Sequence, residues 1–466
     1  MTESISKVVA NDCCIGCGGC GVSTGGGAKV FFNEIGLFQA DVHGMEPDSL
    51  AIASQVCPWA DESEDETAMA ARLFDPALAK DERIGMYRST MAARVVEQER
   101  VEGSSSGGMT SWVAQRLLEE GLVDGVIHVG GAAGDKLFEY RVSTTVDEII
   151  THRKSMYYSV SFAEVLESIR GDGRRYAFVG IPCFVKAVRS LAEIDATLQE
   201  QIIYYLGLVC GHLKSSAYAE SMAWQLGVEP DAIGQVDFRI KNPKAGSRGY
   251  QFGVRAIGED NYKTSSPMEL VGGSWGHSVF QPNACNFCDD IYAETADVVF
   301  ADAWLPKYEA DWRGHNIVVT RNEVIDEIIS NGFTSGLLEV EPLEVDAVAK
   351  AQAGNYRHRR LGLRARLMDD IKSGRWVPRK RVIPGYAGIT RQRLGVIRQR
   401  RQLSAASFGL FQTAKEAGNL EHYLKGMIPL IAAYDRWSKP SYAKRAVGKA
   451  KRSFWLIAAK HQKGRS

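Results

Sequence analysis

No stretch of this sequence stays apolar for the roughly 18 residues that a membrane-crossing helix requires, so no helical span is expected. The opening residues, Met1-Thr2-Glu3-Ser4-Ile5-Ser6, lack a basic segment followed by an apolar one, so no export signal is expected either. The reading is a cytoplasmic protein, with peripheral attachment at the inner face of the membrane as its variant. Net charge is also missing, because 56 Lys and Arg balance 56 Asp and Glu. That balance hides an asymmetry: acids nearly vanish from residue 372 onward, where 22 Lys or Arg face 3 acids. A tail of one sign points to a partner of the other. The 466 residues exceed one ordinary core and imply two or three domains. At 45% hydrophobic and 24% charged, the composition is that of a soluble globular protein. Nine cysteines in such a chain read as metal ligands or redox groups rather than a disulfide framework.

Four of those cysteines form a pattern near the N-terminus. Cys14, Cys17 and Cys20 keep the C-x2-C-x2-C rhythm of a bacterial-type ferredoxin loop, and Cys57-Pro58 offers the fourth thiol with its customary proline. Glycines between them let the backbone turn tightly and aim N–H groups at sulfur. The proline keeps the chain extended beside the fourth ligand. A zinc knuckle on the same cysteines is the alternative, although zinc pairs usually come as two separated C-x2-C units. Cys13 is the spare. The acidic run 61–66 and the Ala-rich stretch to about residue 80 read as a linker ending in a short helix. The run itself reads as a solvated face, with a docking patch as the alternative.

From about residue 91 the pattern becomes strand, turn, helix, repeated, which implies a largely parallel α/β sheet. Strands are expected at 92–96, 123–129, 138–144, 176–183 and 202–209. Helices are expected at 111–120, 146–150, 162–170, 184–191 and 215–226. Gly103-Ser104-Ser105-Ser106-Gly107-Gly108 runs into the first of these helices. Its free N–H groups suit an anion such as a cofactor phosphate, and an ordinary helix cap is the alternative. Cys183 and Cys210 each stand where a strand gives way to a helix, so both face the crevice at the carboxyl edge of the sheet. Cys285-Asn286-Phe287-Cys288 is half a tetrahedral ligand set and needs two more thiols. Cys183 and Cys210 are the remaining candidates; two ordinary buried cysteines are the alternative. Residues 236–257 read as two strands joined by a basic turn. Its Arg239, Lys241, Lys244 and Arg248 suit either an anionic ligand or plain solvent.

Several of these segments, in order, resemble the signatures of one family. They are Ser105-Ser106-Gly107-Gly108, Val179-Gly180-Ile181-Pro182-Cys183, Leu208-Val209-Cys210-Gly211, Cys285-x2-Cys288, Ala296-Asp297-Val298-Val299-Phe300-Ala301-Asp302-Ala303-Trp304 and Gly314-His315-Asn316. The family is that of coenzyme F420 hydrogenase/dehydrogenase beta subunits, which also contains 7-hydroxymethyl chlorophyll a reductase and a divinyl reductase. The resemblance covers about residues 90–325. It implies FAD in the central domain, with Ser105, Ser106, Gly107, Gly108, Gly180 and Pro182 at the flavin. It also implies a 4Fe-4S cluster on Cys183, Cys210, Cys285 and Cys288. With Cys14, Cys17, Cys20 and Cys57 that makes two 4Fe-4S clusters. Ile181, Phe184, Met156 and Ala301 depart from the family's usual residues and thin the polar lining of the pocket. His212, Tyr157 and Asp302 are the candidate catalytic proton donors.

The expected architecture is α/β. It consists of a ferredoxin-like iron–sulfur module (1–62), a linker (63–90), a mostly parallel flavin and cluster domain (91–340) and a basic, mainly helical extension (341–466). The expected function is an oxidoreductase passing electrons through two clusters to FAD and on to an unidentified organic substrate. The alternative is an electron-transfer subunit of a larger redox complex using ferredoxin or coenzyme F420. A zinc-stabilised binding protein is a second alternative. Arg357-His358-Arg359-Arg360, Arg398-Gln399-Arg400-Arg401 and residues 442–460 suit an anionic membrane surface or an acidic electron carrier, or form a solvated amphipathic helix. Nucleic acid is the least favoured partner.

Overall fold

The structure, a computed structural model, describes residues 4–438 apart from 133 and 135. After a first helix at Ser4–Ala10, the cysteine loop leads into the short helix α1 (Gly19–Ser23). A two-stranded antiparallel hairpin, Lys29–Phe32 with Phe38–Asp41, and helix α2 (Pro47–Val56) complete this part. The loop turns at Asp12, Gly16 and Gly18, all with positive φ. At Gly16 a Cβ would lie 2.1 Å from the carbonyl oxygen of Phe38, so only glycine fits there.

The central sheet has eight strands: β1 (Ser89–Val95), β2 (Gly125–Gly131), β3 (Phe138–Ser143), β4 (Tyr176–Gly180), β5 (Ile202–Leu208), β6 (Val298–Asp302), β7 (Asn316–Thr320) and β8 (Leu338–Pro342). Their spatial order is β8-β1-β7-β6-β5-β4-β2-β3. The pairs β2–β4, β4–β5 and β5–β6 are parallel and the outer pairs antiparallel, so five strands share one direction. The centre is as parallel as the strand–helix alternation implies. Its flanks are antiparallel because β3 and β7 each turn back beside the preceding strand, while the helix Glu323–Thr334 carries the chain from β7 to β8 on the far side of β1.

Alternate residues of these strands enter two different cores, as the two-residue period of a pleated strand demands. Val126, Ala177, Leu206, Val298 and Val318 face one side. There they meet α3 (Met109–Glu119) through Trp112, Val113 and Leu117. Ile127, Phe178, Tyr205, Val299 and Val319 face the other, against α4 (Pro182–Ile194) through Phe184, Val185, Val188 and Leu191. α5 (Glu323–Thr334) joins the first side through Ile325, Ile328 and Ile329. The second core continues without a break into the N-terminal part at Val8, Ile15 and Val22. It also reaches the C-terminal part at Leu363, Leu403, Phe411 and Tyr423. The hairpin expected at 236–257 forms as Ile233–Ile240 and Gln251–Ala256, with Lys263–Ser265 added as a third strand.

Two readings need correction. The acidic run 61–66 is not a uniformly solvated face, although Glu62 is exposed. Asp65 caps the helix Glu66–Leu73 by accepting from the amides of Thr67 and Ala68. Glu66 is buried and ion-paired with Lys186 and Arg381. Asp61 accepts the Arg379 amide. The C-terminal part is helical as expected, with a π-helical turn at Arg357–Leu361, then α6 (Gly362–Lys372), α7 (Arg391–Glu416) and α8 (Leu420–Ser438). Its basic residues are not simply a docking face, however, because His358, Arg359 and Arg366 are buried. α7 is bound along one side: Arg400 donates to Ser278, Ser404 donates to the Gln281 carbonyl, and Ser407 accepts the Phe280 amide. The stretch 442–460 lies outside the described residues. No helix among the described residues is long and apolar enough to cross a membrane.

Candidate functional site

The carboxyl edge of the parallel strands opens into a cavity of about 290 Å3. One wall is the Ser-Gly turn before α3. Gly108 adopts φ 83° there, and its successors Met109, Thr110 and Ser111 bring the helix N-terminus to the cavity. The turn is held rigidly. Ser106 donates to the His315 carbonyl, Ser105 accepts the Ser155 amide, and buried Asn316 accepts from Met109. Lys241, expected on an exposed basic turn, instead donates Nζ to the carbonyls of Val101, Ser106 and Arg313 and ties the loop down. Ser104, Ser105, Ser106, Gly108 and Gly180 line the cavity. Gly107 and Pro182 are not among its lining residues. A Cβ on Gly107 would lie 2.8 Å from the Ala93 carbonyl oxygen, so its glycine serves close packing. Pro182 is the buried first residue of α4, a position that suits its missing N–H.

The three candidate proton donors meet at the same cavity. His212 is buried and stacks on Trp275 at 4.2 Å, and among the described residues neither of its ring nitrogens has a hydrogen-bond partner. Burial first, then the positive charges of Lys214, Arg400 and Arg359, hold its pKa well below the usual histidine range. At neutral pH it is therefore a neutral imidazole. The Tyr157 ring packs between Trp275 and Phe238, and burial raises its hydroxyl pKa. Asp302 receives Arg239 at 2.8 Å, and that ion pair turns it toward positioning the guanidinium rather than toward free proton transfer. Lys214 was not recognisable from sequence. It is buried in the cavity wall, donates to the Val279 carbonyl and sits over the Tyr218 ring at 4.3 Å.

The nine cysteines are free thiols, and eight of them fall into two groups. Cys14, Cys17, Cys20 and Cys57 lie within mutual electrostatic reach. So do Cys183, Cys210, Cys285 and Cys288. The first group is wrapped by backbone: the amides of Gly16 and Ala40 both donate to the Cys14 sulfur at 3.3 Å. The second is assembled from three places. Cys183 is the second residue of α4, Cys210 follows β5, and Cys285 and Cys288 belong to one short turn. The Leu213 amide donates to Cys285 at 3.3 Å, and Arg359 donates to Cys288 at 2.6 Å. Cys13, the ninth, donates to the Asn11 carbonyl and lies within electrostatic reach of Cys57.

The groups adjoin each other, since Cys183 and Cys17 also interact, and Cys210 lines the cavity. Burial pushes Cys57 and Cys285 up to about 12 and Cys288 to about 11, so without a cation these thiols stay protonated. Among the described residues, no three His, Cys, Asp or Glu side chains converge on a single-ion site. Arg359 was legible only as part of a basic run; nothing in its spacing marked it as buried.

These features define a mixed α/β protein with paired thiol groups at the edge of a ligand-sized cavity. The family model for the N-terminal part of the coenzyme F420 hydrogenase/dehydrogenase beta subunit matches residues 90–167. Its companion, for the C-terminal part of that same subunit, matches residues 173–346. The chain belongs to this family, and redox function in general comes with it. It is 22% identical to the coenzyme F420 hydrogenase subunit beta of Methanothermobacter thermautotrophicus over 269 residues, 56% of this chain and 86% of the relative. It is 24% identical to that of Methanosarcina barkeri over 274 residues, 57% of this chain and 86% of the relative. A xenon-derivatised F420-reducing NiFe hydrogenase complex from Methanosarcina barkeri contains a similar chain. The match has 20% identity and TM-score 0.47, and covers 60% of this chain and 93% of that one.

Proposed function

We propose that this chain is a beta-type electron-transfer subunit of a larger redox complex, carrying electrons between two 4Fe-4S clusters and a flavin-type cofactor. The observation that carries the reading is continuity. The cavity wall includes Cys210, Cys210 belongs with Cys183, and Cys183 adjoins Cys17 of the other group. Cys14, Cys17, Cys20 and Cys57 would hold one cluster in a ferredoxin-like front. Cys183, Cys210, Cys285 and Cys288 would hold the other. One feature supports a cluster at each place: buried amide and guanidinium donors aim at the sulfurs. When bound, such clusters and a flavin supply one-electron and two-electron chemistry that no side chain has.

The protein's own contribution is placement. FAD is the expected cofactor. Its phosphates would meet the amides of Thr110 and Ser111 at the α3 N-terminus, and Trp275 and Tyr157 would wall its ring. His212 would offer a neutral N–H to the ring or to a substrate, and Arg239, fixed by Asp302, would meet an anionic group. The two family matches and the curated relatives favour the subunit reading over an enzyme with its own organic substrate. By analogy with those relatives, coenzyme F420 and partner subunits are the proposed associates, with ferredoxin as the other donor.

Anaerobic purification with iron, sulfide and flavin quantified is the test. About eight irons and one FAD per chain are expected. A colourless, zinc-loaded protein would refute the reading. The subunit role predicts that the isolated chain exchanges electrons with reduced F420 or ferredoxin and a dye, yet turns over only with its partner subunits.

A further inference from the structure

Arg359 lies beyond residue 346, where the family match ends, in the π-helical turn that opens the C-terminal helices. Its side chain is 1% exposed. Every polar contact of its guanidinium is directed at the second thiol group. Nη1 donates to the Cys288 sulfur at 2.6 Å and to the Asp290 carbonyl at 2.7 Å. Nε and Nη2 donate to the carbonyl of Gly211, the residue after Cys210, at 3.2 and 3.0 Å. None of these acceptors is a carboxylate. A guanidinium does not give up its proton in a protein, and a buried one demands a counter-charge. Arg366, also buried, donates to the Asn286 carbonyl inside the Cys285–Cys288 turn and adds a second positive charge nearby. Among the described residues, no ammonium or guanidinium donates to a sulfur of the first group.

We propose that Arg359 is a positioning residue that raises the reduction potential of the cluster held by Cys183, Cys210, Cys285 and Cys288, and that the C-terminal segment exists partly to deliver it. The inference rests on the two-cluster reading above. Reduction of a cluster adds one electron and one unit of negative charge and breaks no bond. A fixed buried cation beside a ligand sulfur stabilises the reduced form, since charge and hydrogen bonds to sulfur are principal determinants of cluster potential. The first cluster is wrapped by backbone amides; the cation near it, Lys186 within reach of Cys57, is paired with Glu66 and donates to no sulfur among the described residues, so this cluster keeps the lower potential of the two.

The test is an anaerobic dithionite titration of the full chain, followed by visible bleaching and by electron paramagnetic resonance, on wild type, Arg359→Gln and Arg359→Lys. In Arg359→Gln one midpoint falls by at least a tenfold change in equilibrium constant, about 59 mV for one electron, while the other stays in place. Arg359→Lys recovers most of the shift. Unmoved potentials, or equal movement of both, with about eight irons retained, would overturn the role of Arg359 alone. A wild type with only one cluster's iron overturns the two-cluster reading instead. If Arg359→Gln loses the second cluster, retention of iron by Arg359→Lys supports the charge argument. Equal loss in both variants overturns it in favour of packing.

Discussion

The two thiol groups reach similar arrangements by different routes. In the first, three cysteines come from one loop of seven residues, and the donors to sulfur are the chain's own amides at Gly16 and Ala40. In the second, four cysteines come from three separated regions, and a buried guanidinium from a fourth region faces them. A local loop needs only glycines and backbone curvature. A distributed site needs a finished fold, and its buried charges need partners brought from far along the chain. The second group accordingly sits beside an ionic network in which Asp289 meets Lys380 and Arg381, while Glu294 and Glu66 also meet Arg381.

The comparison is broken most completely at the cysteines. Cys17→Ala and Cys285→Ala should each remove about four of eight irons, and each should leave the other group's spectrum intact. Iron and sulfide analysis with low-temperature resonance spectra would show it. Loss of all iron from either variant would mean that the groups do not fold independently.

Next in size is Arg381→Met, which strips a partner from Glu66, Asp289 and Glu294 together. It should cost about 3–5 kcal/mol in denaturant unfolding, because a buried charge left alone is expensive. It should also flatten the acid limb of stability. Burial alone would raise the Glu66 pKa, but Lys186, Lys380 and Arg381 together hold it well below the usual range. The folded value is therefore below the unfolded value of about 4.3. Its contribution is complete above that pH and is lost as pH falls through the folded value. In Arg381→Met the loss should begin nearer the unfolded value.

A smaller effect, confined to the first group, is expected of Gly16→Ala. Positive φ and the Phe38 carbonyl together should cost about 1–3 kcal/mol and lower iron at that group only, measurable by thermal melting and iron content. Smallest of all, Cys13→Ala should keep the full iron complement, since its thiol is directed at the Asn11 carbonyl.

The same contrast explains what could be read beforehand. The Cys14–Cys20 rhythm, the Ser-Gly turn and the strand-end placement of Cys183 and Cys210 were legible because each depends on neighbours within a few residues. The strand–helix alternation likewise disclosed the parallel centre of the sheet. The antiparallel flanks were hidden, since pairing of β1 with β7 and β8 joins strands more than two hundred residues apart. Glu66 looked like one more acid in a solvated run, and Arg359 like one more base. Their burial depends on which distant charge the fold brings to them, and no local pattern records it. Lys241 read as open to an anionic ligand or solvent for the same reason: its three carbonyl acceptors come from the short helix Gln98–Glu102 and two loops elsewhere in the chain.

The hydrogen bond from the Arg379 amide to Asp61 spans 318 residues, and it has a meaning in time. A chain emerging from the ribosome presents its first cysteine loop early, and that loop needs only the segment around Ser159–Phe162 to lean on. The wall around Cys288 waits for Arg359, and the acids behind it wait for Lys380 and Arg381. Assembly of the second site is thereby deferred until nearly the whole polypeptide has been made. A chain cut short at the family boundary would leave Glu66, Asp289 and Glu294 inside without those cations.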